Sequence, residues 1–209
     1  MANGNQLIYV YDPMCSWCWA FRPTLSQLLD RLPGNVGLVR LLGGLAPDSD
    51  QPMSREMRDY LVNTWQRIQQ RVPGTAFNFD YWTACSPRRS TWPACRAVIA
   101  ARCLQPDKES AMIEAIQKAY YLEARNPSEP ATLIALATEI GLNPISFREM
   151  LEAPTTDQML RDEIAEARRL GADSFPSLRL QSGASVWPVA IDYNEVQPMR
   201  AAIDALLAH

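Results

Sequence analysis

An apolar run, Leu7-Ile8-Tyr9-Val10-Tyr11, ends directly at Asp12-Pro13-Met14-Cys15-Ser16-Trp17-Cys18-Trp19, so two cysteines three positions apart stand where a strand gives way to the next element. That juxtaposition narrows the fold more than any other stretch of the chain. If the backbone turns from strand into helix here, Cys15 takes a helix N-terminus, where unpaired N–H groups and the macrodipole favour a thiolate. Cys18 then lies one helical turn further in, close enough to close a disulfide.

The other thiols fit this reading by contrast. Cys85, Cys95 and Cys103 bring the total to five, an odd number and too sparse for a disulfide scaffold in 209 residues. Occurring singly in a helical block, they read as small buried apolar residues, with a Cys85–Cys95 disulfide as the minority reading. The one histidine is His209, the last residue. Its position removes most Cys–His nucleophilic pairs and every histidine-based metal site, and a zinc site on the cysteine pair lacks two further ligands, so no metal is expected. A formal charge of -3 and a pI near 5.3 give no general attraction to phosphate, and nucleic acid is not an expected partner. Met1-Ala2-Asn3-Gly4-Asn5-Gln6 has neither a basic region nor an apolar core of signal-peptide length, and no run reaches eighteen apolar residues. The chain is therefore expected to be cytoplasmic, where most thiols are kept reduced, and to have no membrane partner.

Residues 19–32 have helical character, with Pro23 expected to kink or break the helix and Pro33-Gly34-Asn35 to end it. Residues 36–42 are short and aliphatic and read as a second strand, giving a β-α-β unit with the cysteines at its first turn. Residues 51–154 read as helices punctuated by turn signals, with Gly141 as one stop. Thr155 with Gln158 fits a capping box, opening a helix that stops at Gly171. Residues 177–180 and 185–187 then read as two strands joined through Ser182-Gly183, the second an edge because Pro188 follows it. Val196, Met199, Ile203, Leu206 and Leu207 recur as on the buried face of a last helix. The expected organisation is an α/β domain from residues 1–50 and 155–209, split by an all-helical domain at 51–154.

The order β-α-β, helical insertion, α-β-β-α is that of a thioredoxin fold with helices spliced into its middle. It resembles the DsbA-like branch of the thioredoxin superfamily, and the segment from Asp12 to Trp19 is similar to its FrnE-like and predicted cytoplasmic disulfide isomerase members. The resemblance implies that Cys15 attacks a substrate disulfide and Cys18 resolves the mixed disulfide. It also implies a cis-proline at Pro176, within Gly171-Ala-Asp-Ser-Phe-Pro-Ser177, facing the cysteines. The backbone of Phe175 would pair with an extended substrate segment, and Pro176 would keep a side chain off the sulfurs. Ser16, where a proline is common, tunes the motif together with Asp12. Many relatives carry a buried acid six positions before the first cysteine; here that position is Tyr9, leaving Asp12 or a water to relay the proton. Trp17, between the cysteines, is expected to be an exposed apolar platform for substrate, with Trp19 and Phe21 filling the core.

These readings converge on a thiol–disulfide oxidoreductase or disulfide isomerase acting on protein or small-molecule disulfides, with an unnamed recycling partner. No cofactor is expected beyond the Cys15–Cys18 pair itself, with glutathione as a co-substrate for which Arg88, Arg89 and Arg96 are candidate anchors. The commoner role for such arginines is pairing with helix carboxylates. One alternative is a glutathione-dependent transferase or isomerase of the kappa or hydroxychromene-carboxylate type, whose members usually lack the full cysteine pair. Another is a peptide-binding or chaperone module in which the pair is only a remnant.

Overall fold

The structure is a computed structural model that describes residues 4–208. The reading of the first six residues as a segment without export features falls partly outside that range, and the reading of His209 wholly. The described chain forms two compact units, one running to Gly43 and resuming at Glu163, the other spanning Gly44–Asp162.

The first unit is built on a four-stranded sheet in the order β2-β1-β3-β4. Its strands are β1 (Asn5–Tyr11), β2 (Val36–Leu42), β3 (Ser177–Ser182) and β4 (Ser185–Val189). β1 runs parallel to β2, with Leu7 opposite Leu38 and Tyr11 opposite Leu42, and antiparallel to β3, with Leu7 opposite Leu180. As a central strand it is covered on both faces, which is why its sequence is a continuous apolar run rather than an alternation. Ile8 and Val10 look to one side, where they pack with Ala167, Ala172, Val39, Leu41 and Phe175. Tyr9 and Tyr11 look to the other, toward Phe21 of α1 (Ser16–Leu29). β4 is the edge, and Pro188, opposite Arg179, sits there without a ladder donor to lose on its outer side.

Two expectations about helix ends are corrected. α1 continues through Pro23 without a break, and it opens at Ser16 with Cys15 as its N-cap, the helix N-terminus expected for that cysteine. Pro23 removes a single backbone donor, while Phe21, Thr24, Leu25 and Leu28, all buried, hold the helix on the sheet. The helix expected to open at a Thr155–Gln158 box opens instead at Pro154, whose fixed φ suits a first helical position. This helix runs from Pro154 to Arg169, and Gly171 follows with φ +66°, the left-handed conformation its missing Cβ allows. Near its start the Thr156 hydroxyl donates to the Met150 carbonyl at 2.6 Å. The final helix, Gln197–Leu207, buries Met199 and Ile203, while Leu206 and Leu207 are only half-buried.

The second unit is helical. In chain order its helices are α2 (Arg55–Arg71), α3 (Tyr81–Ala84), α4 (Trp92–Leu104), α5 (Glu109–Tyr121), α6 (Pro130–Glu139) and α7 (Pro144–Glu152). The helix from Pro154 is thus α8, shared between the units, and the final one is α9. Trp65 on α2, fully buried, is the centre of its core, with the rings of Phe77, Trp82, Tyr120 and Tyr121 within 4.8–5.7 Å. Caps define the ends locally: Ser54 accepts from the Met57 amide at 3.2 Å, and Asn143 from the amides of Ile145 and Ser146. Among the described residues no helix is long and apolar enough to cross a membrane.

Candidate active site

The turn between β1 and α1 is shaped by Asp12. Its carboxylate, fully buried, accepts from the Met14 amide at 2.8 Å, and its carbonyl accepts from the Cys15 amide at 3.0 Å. These bonds set Cys15 in an extended conformation (φ -80°, ψ 117°) as the N-cap of α1, with its own carbonyl accepting from Trp19 at 3.1 Å. No acidic side chain occupies the first turn of α1 itself; the nearest carboxylate in the turn before it is that of Asp12. Ser16, buried, is the first helical residue.

Both cysteines are free thiols, and they differ in access. Cys15 retains 6% exposure and Cys18 none. The Cys15 Sγ donates to the Phe175 carbonyl at 3.4 Å, and the Phe175–Pro176 peptide is cis. The loop before β3 thus lies against the cysteine turn through the backbone of the residue named from the sequence. Burial pushes the Cys18 thiol well above its ordinary range; its hydrogen bond to Cys15 and the negative charge Cys15 can carry add to the rise. Asp12 acts on Cys18 with both signs: its backbone hydrogen bond lowers the thiol and its carboxylate charge raises it. Tyr9, 5% exposed, is raised first by burial and then by the negative charge the two cysteines can carry.

Around the turn, Trp17 is half-buried rather than fully exposed, because Tyr193 packs on it with ring centroids 5.1 Å apart. Tyr193 also meets Phe21 edge-on at 5.8 Å, and its carbonyl accepts from the Thr24 hydroxyl at 2.6 Å. Phe21 fills the core as expected, but Trp19 does not: it is half-buried, with the Arg22 guanidinium 5.6 Å above its ring. A cavity of about 360 Å³ lies beside Pro176, lined also by Ser174, Leu178, Arg179, Pro188 and Ile191. Gly43, at the end of β2, touches the ring of Phe175 so closely that no side chain fits between them.

Tyr9, Gly43 and Tyr193 are the site residues that the sequence reading did not assign. Tyr9 was marked only by the acid it replaces, and Tyr193 lies in an aperiodic turn where no pattern singles it out.

The second unit answers the other expectations. Cys95 is fully buried, but Cys85 is half-buried, with its thiol donating to the Ala124 carbonyl at 3.0 Å. Cys103 is exposed, next to the Met159 sulfur at 3.9 Å, so the reading of three buried thiols holds only for Cys95. Cys103 is the penultimate residue of α4, whose buried face ends at Ala101. Arg88 is committed to Asp50, Glu129 and the Ser128 carbonyl, and Arg96 to Asp48 and Asp157. The cavity of about 430 Å³ that both line also presents Asp48, Asp50, Glu152 and Asp157, so it offers no surplus positive charge to the carboxylates of glutathione. Arg89 is half-buried.

The sequence matches the family model of the DSBA-like thioredoxin domain over residues 6–194. Among solved structures it is similar to a candidate protein disulfide isomerase from Nitrosomonas europaea, at 25% identity over 98% of both chains with a TM-score of 0.85. It is also similar to the cytosolic disulfide reductase DsbM from Pseudomonas aeruginosa, at 28% identity over 97% of this chain and 98% of that one, TM-score 0.77. A second structure of DsbM, with GSH, matches at 27% identity over 98% of this chain and 100% of that one, TM-score 0.75. Among curated proteins, the ClpXP adapter protein SpxH of Halalkalibacterium halodurans is 22% identical over 175 residues, 81% of this chain. The match takes in 56% of SpxH, so the chain spans little more than half the length of that relative.

Proposed function

The chain belongs to the DSBA-like thioredoxin domain family, with an α/β thioredoxin fold interrupted by a helical region, and from that premise we propose that it exchanges disulfides through Cys15 and Cys18. Cys15 attacks a substrate disulfide, and Cys18 resolves the mixed disulfide. One observation carries the reading: the more accessible sulfur stands at the N-terminus of α1 and 3.4 Å from the Phe175 carbonyl, beside Pro176, while the buried sulfur keeps its proton.

The hydrogen bond to Phe175 is made by the protonated Cys15 thiol. When that thiol ionises the bond is lost, and the Phe175 carbonyl becomes free to accept from an N–H of an extended substrate. Pro176 closes the same wall without a donor of its own. Trp17 gives the apolar contact for residues flanking the substrate disulfide, Ser16 tunes the turn, and Asp12 relays the Cys18 proton. Glutathione is the small-molecule co-substrate, a reading supported by the GSH complex of DsbM. We place the reaction in the cytosol and in the reducing or isomerising direction, by analogy with DsbM, a cytosolic disulfide reductase, and because no histidine stands in the motif.

The test is thiol trapping across a series of glutathione potentials, on wild type, Cys15→Ser and Cys18→Ser. A reversible two-electron couple should appear in wild type and vanish in both variants, with mixed disulfides accumulating in Cys18→Ser. A pair that fails to cycle at any accessible potential refutes the reading. The midpoint also gives the direction, since about 30 mV corresponds to about 1.4 kcal/mol for this couple.

A further inference from the structure

The cavity of about 360 Å³ beside Pro176 has a positively charged wall. Ser174, Ser177, Pro188 and Ile191 give it hydroxyl and apolar sides, and Arg179, on β3 opposite Pro188, is the only charged side chain among the described residues that line it. The Arg179 guanidinium is held by carbonyls alone: Nε donates to Leu170 at 3.0 Å, Nη1 to Leu178 at 3.0 Å and Nη2 to Gly171 at 2.5 Å. The second N–H on each terminal nitrogen is left over. Leu170 and Gly171 follow the end of α8, where the macrodipole supplies about half a negative charge, so about half of the arginine's charge stays uncompensated. Arg88 and Arg96, by contrast, each meet two carboxylates. Asp173 and Asp192 adjoin the lining residues in sequence but do not line the cavity, and Asp192 accepts from the amides of Asn194 and Glu195.

We propose that this cavity is an anion subsite of the exchange centre, in which Arg179 takes a carboxylate carried by the substrate close to its reacting cysteine. The inference rests on the exchange reading above and adds a substrate class to it. That class is acidic disulfides: glutathione disulfide, or a peptide with a carboxylate beside its cysteine. Pro176 connects the two places. The carbonyl before it is 3.4 Å from the Cys15 sulfur, and Pro176 itself lines the cavity, so a substrate bonded to Cys15 passes its flanking residues along the cavity wall. An extended residue covers about 3.3–3.6 Å, so the group that arrives there is the flanking carboxylate and not the cysteine.

An arginine suits this task because its planar fork presents N–H donors to both oxygens of a carboxylate. The three carbonyls already fix the guanidinium, so binding costs little side-chain freedom. The same contacts brace the loop ahead of Pro176, so Arg179 holds the loop and binds the ligand with different N–H groups of one side chain.

The experiment compares disulfides matched except for a carboxylate: glutathione disulfide against its glycyl methyl ester, and a peptide disulfide with glutamate beside the cysteine against the same peptide with glutamine. Formation of the mixed disulfide with Cys15 is read by rapid acid quench in wild type, Ser174→Glu and Arg179→Gln. Ser174 is exposed, and a glutamate there brings a carboxylate to the cavity while the carbonyl partners of Arg179 stay in place. Wild type should favour the acidic member of at least one pair by about twofold to fivefold, the range of a half-exposed ion pair. The preference should shrink as salt is raised. The net charge of -3 opposes it, so general attraction cannot produce it. Both variants should abolish the preference, with the neutral members correcting for any general loss of rate in Arg179→Gln. If Arg179→Gln does not fold, Ser174→Glu alone decides. The pair that shows the preference identifies glutathione or an acidic peptide as the source of the carboxylate. Equal rates within both pairs in wild type, or a preference that survives either variant, overturn the subsite while leaving the exchange reading intact. A wild type that forms no mixed disulfide with any of these disulfides overturns both.

Discussion

The approach of Gly43 to Phe175 gives the most exacting test of how the cis-proline loop is held. A Cβ at Gly43 would lie 2.0 Å from Cε1, 2.2 Å from Cζ and 2.7 Å from Cδ1 of Phe175. Ordinary carbon contacts are about 3.5–4.0 Å, so in Gly43→Ala the ring must withdraw by about 1.5–2 Å. It has two routes. The ring can swing off the cluster of Ile8, Val10, Val39 and Leu41, giving up part of a burial worth about 1.5–3 kcal/mol in full. Alternatively the loop moves with its ring, carrying the Phe175 carbonyl away from the Cys15 sulfur. Either way the overpacking should cost about 1–3 kcal/mol. The assay is urea denaturation of wild type, Gly43→Ala, Phe175→Ala and the double variant, with the alkylation rate of Cys15 measured in each. The double variant should be no less stable than Phe175→Ala alone, a coupling of about 1 kcal/mol or more. A changed alkylation rate in Gly43→Ala identifies the second route. Strictly additive effects, or a cost for Gly43→Ala below about 0.5 kcal/mol, refute the reasoning.

Two further outcomes follow from groups that bind protons more tightly in the folded chain. Tyr9, Cys18 and Tyr81 are all raised chiefly by burial, so the stability they confer is complete below the unfolded thiol value of about 8.5 and drains away as pH climbs past it and then past about 10 for the phenols. The urea midpoint should hold from neutrality to the first of these values and fall beyond it; a midpoint level into the phenol range contradicts the assignment. Asp12→Asn keeps an oxygen to accept from Met14 but loses the base, so resolution by Cys18 should slow and its pH profile change. An unchanged profile removes the carboxylate from proton transfer.

The strand, the turn and the start of α1 were legible because one strong signal, an apolar run ending at a cysteine pair, required a particular local geometry. β2 and the β3–β4 hairpin announced themselves by aliphatic runs between turn residues. The position of Pro176 was legible only through resemblance, since no local pattern says which strand faces the cysteines. What stayed hidden depends on pairing across the fold. Gly43 signals room for a neighbour without naming it, and nothing in the sequence points to the ring of Phe175. Trp17 looked exposed because the residue covering it, Tyr193, lies at the far end of the chain in a turn without periodicity. Pro23 looked like a break because local propensity gives no weight to the buried face of α1. Cys103 looked buried because average cysteine behaviour says nothing about which side of α4 faces water.

The two sulfurs differ without help from a cationic side chain. The motif holds no histidine, and the first turn of α1 itself carries no acid. The one carboxylate that acts on Cys18 does so with opposing signs through its backbone and its charge. What remains is burial and hydrogen bonding: Cys18 is enclosed, and its hydrogen bond to Cys15 raises it further. Bonds of this kind are short-ranged and little screened by salt, whereas a histidine or lysine partner acts through a field that salt weakens. In the proposed exchange, a division of labour between the sulfurs that rests on burial is carried by the packing of β1 against α1, so the contacts that hold the fold together would also set which sulfur attacks and which one waits.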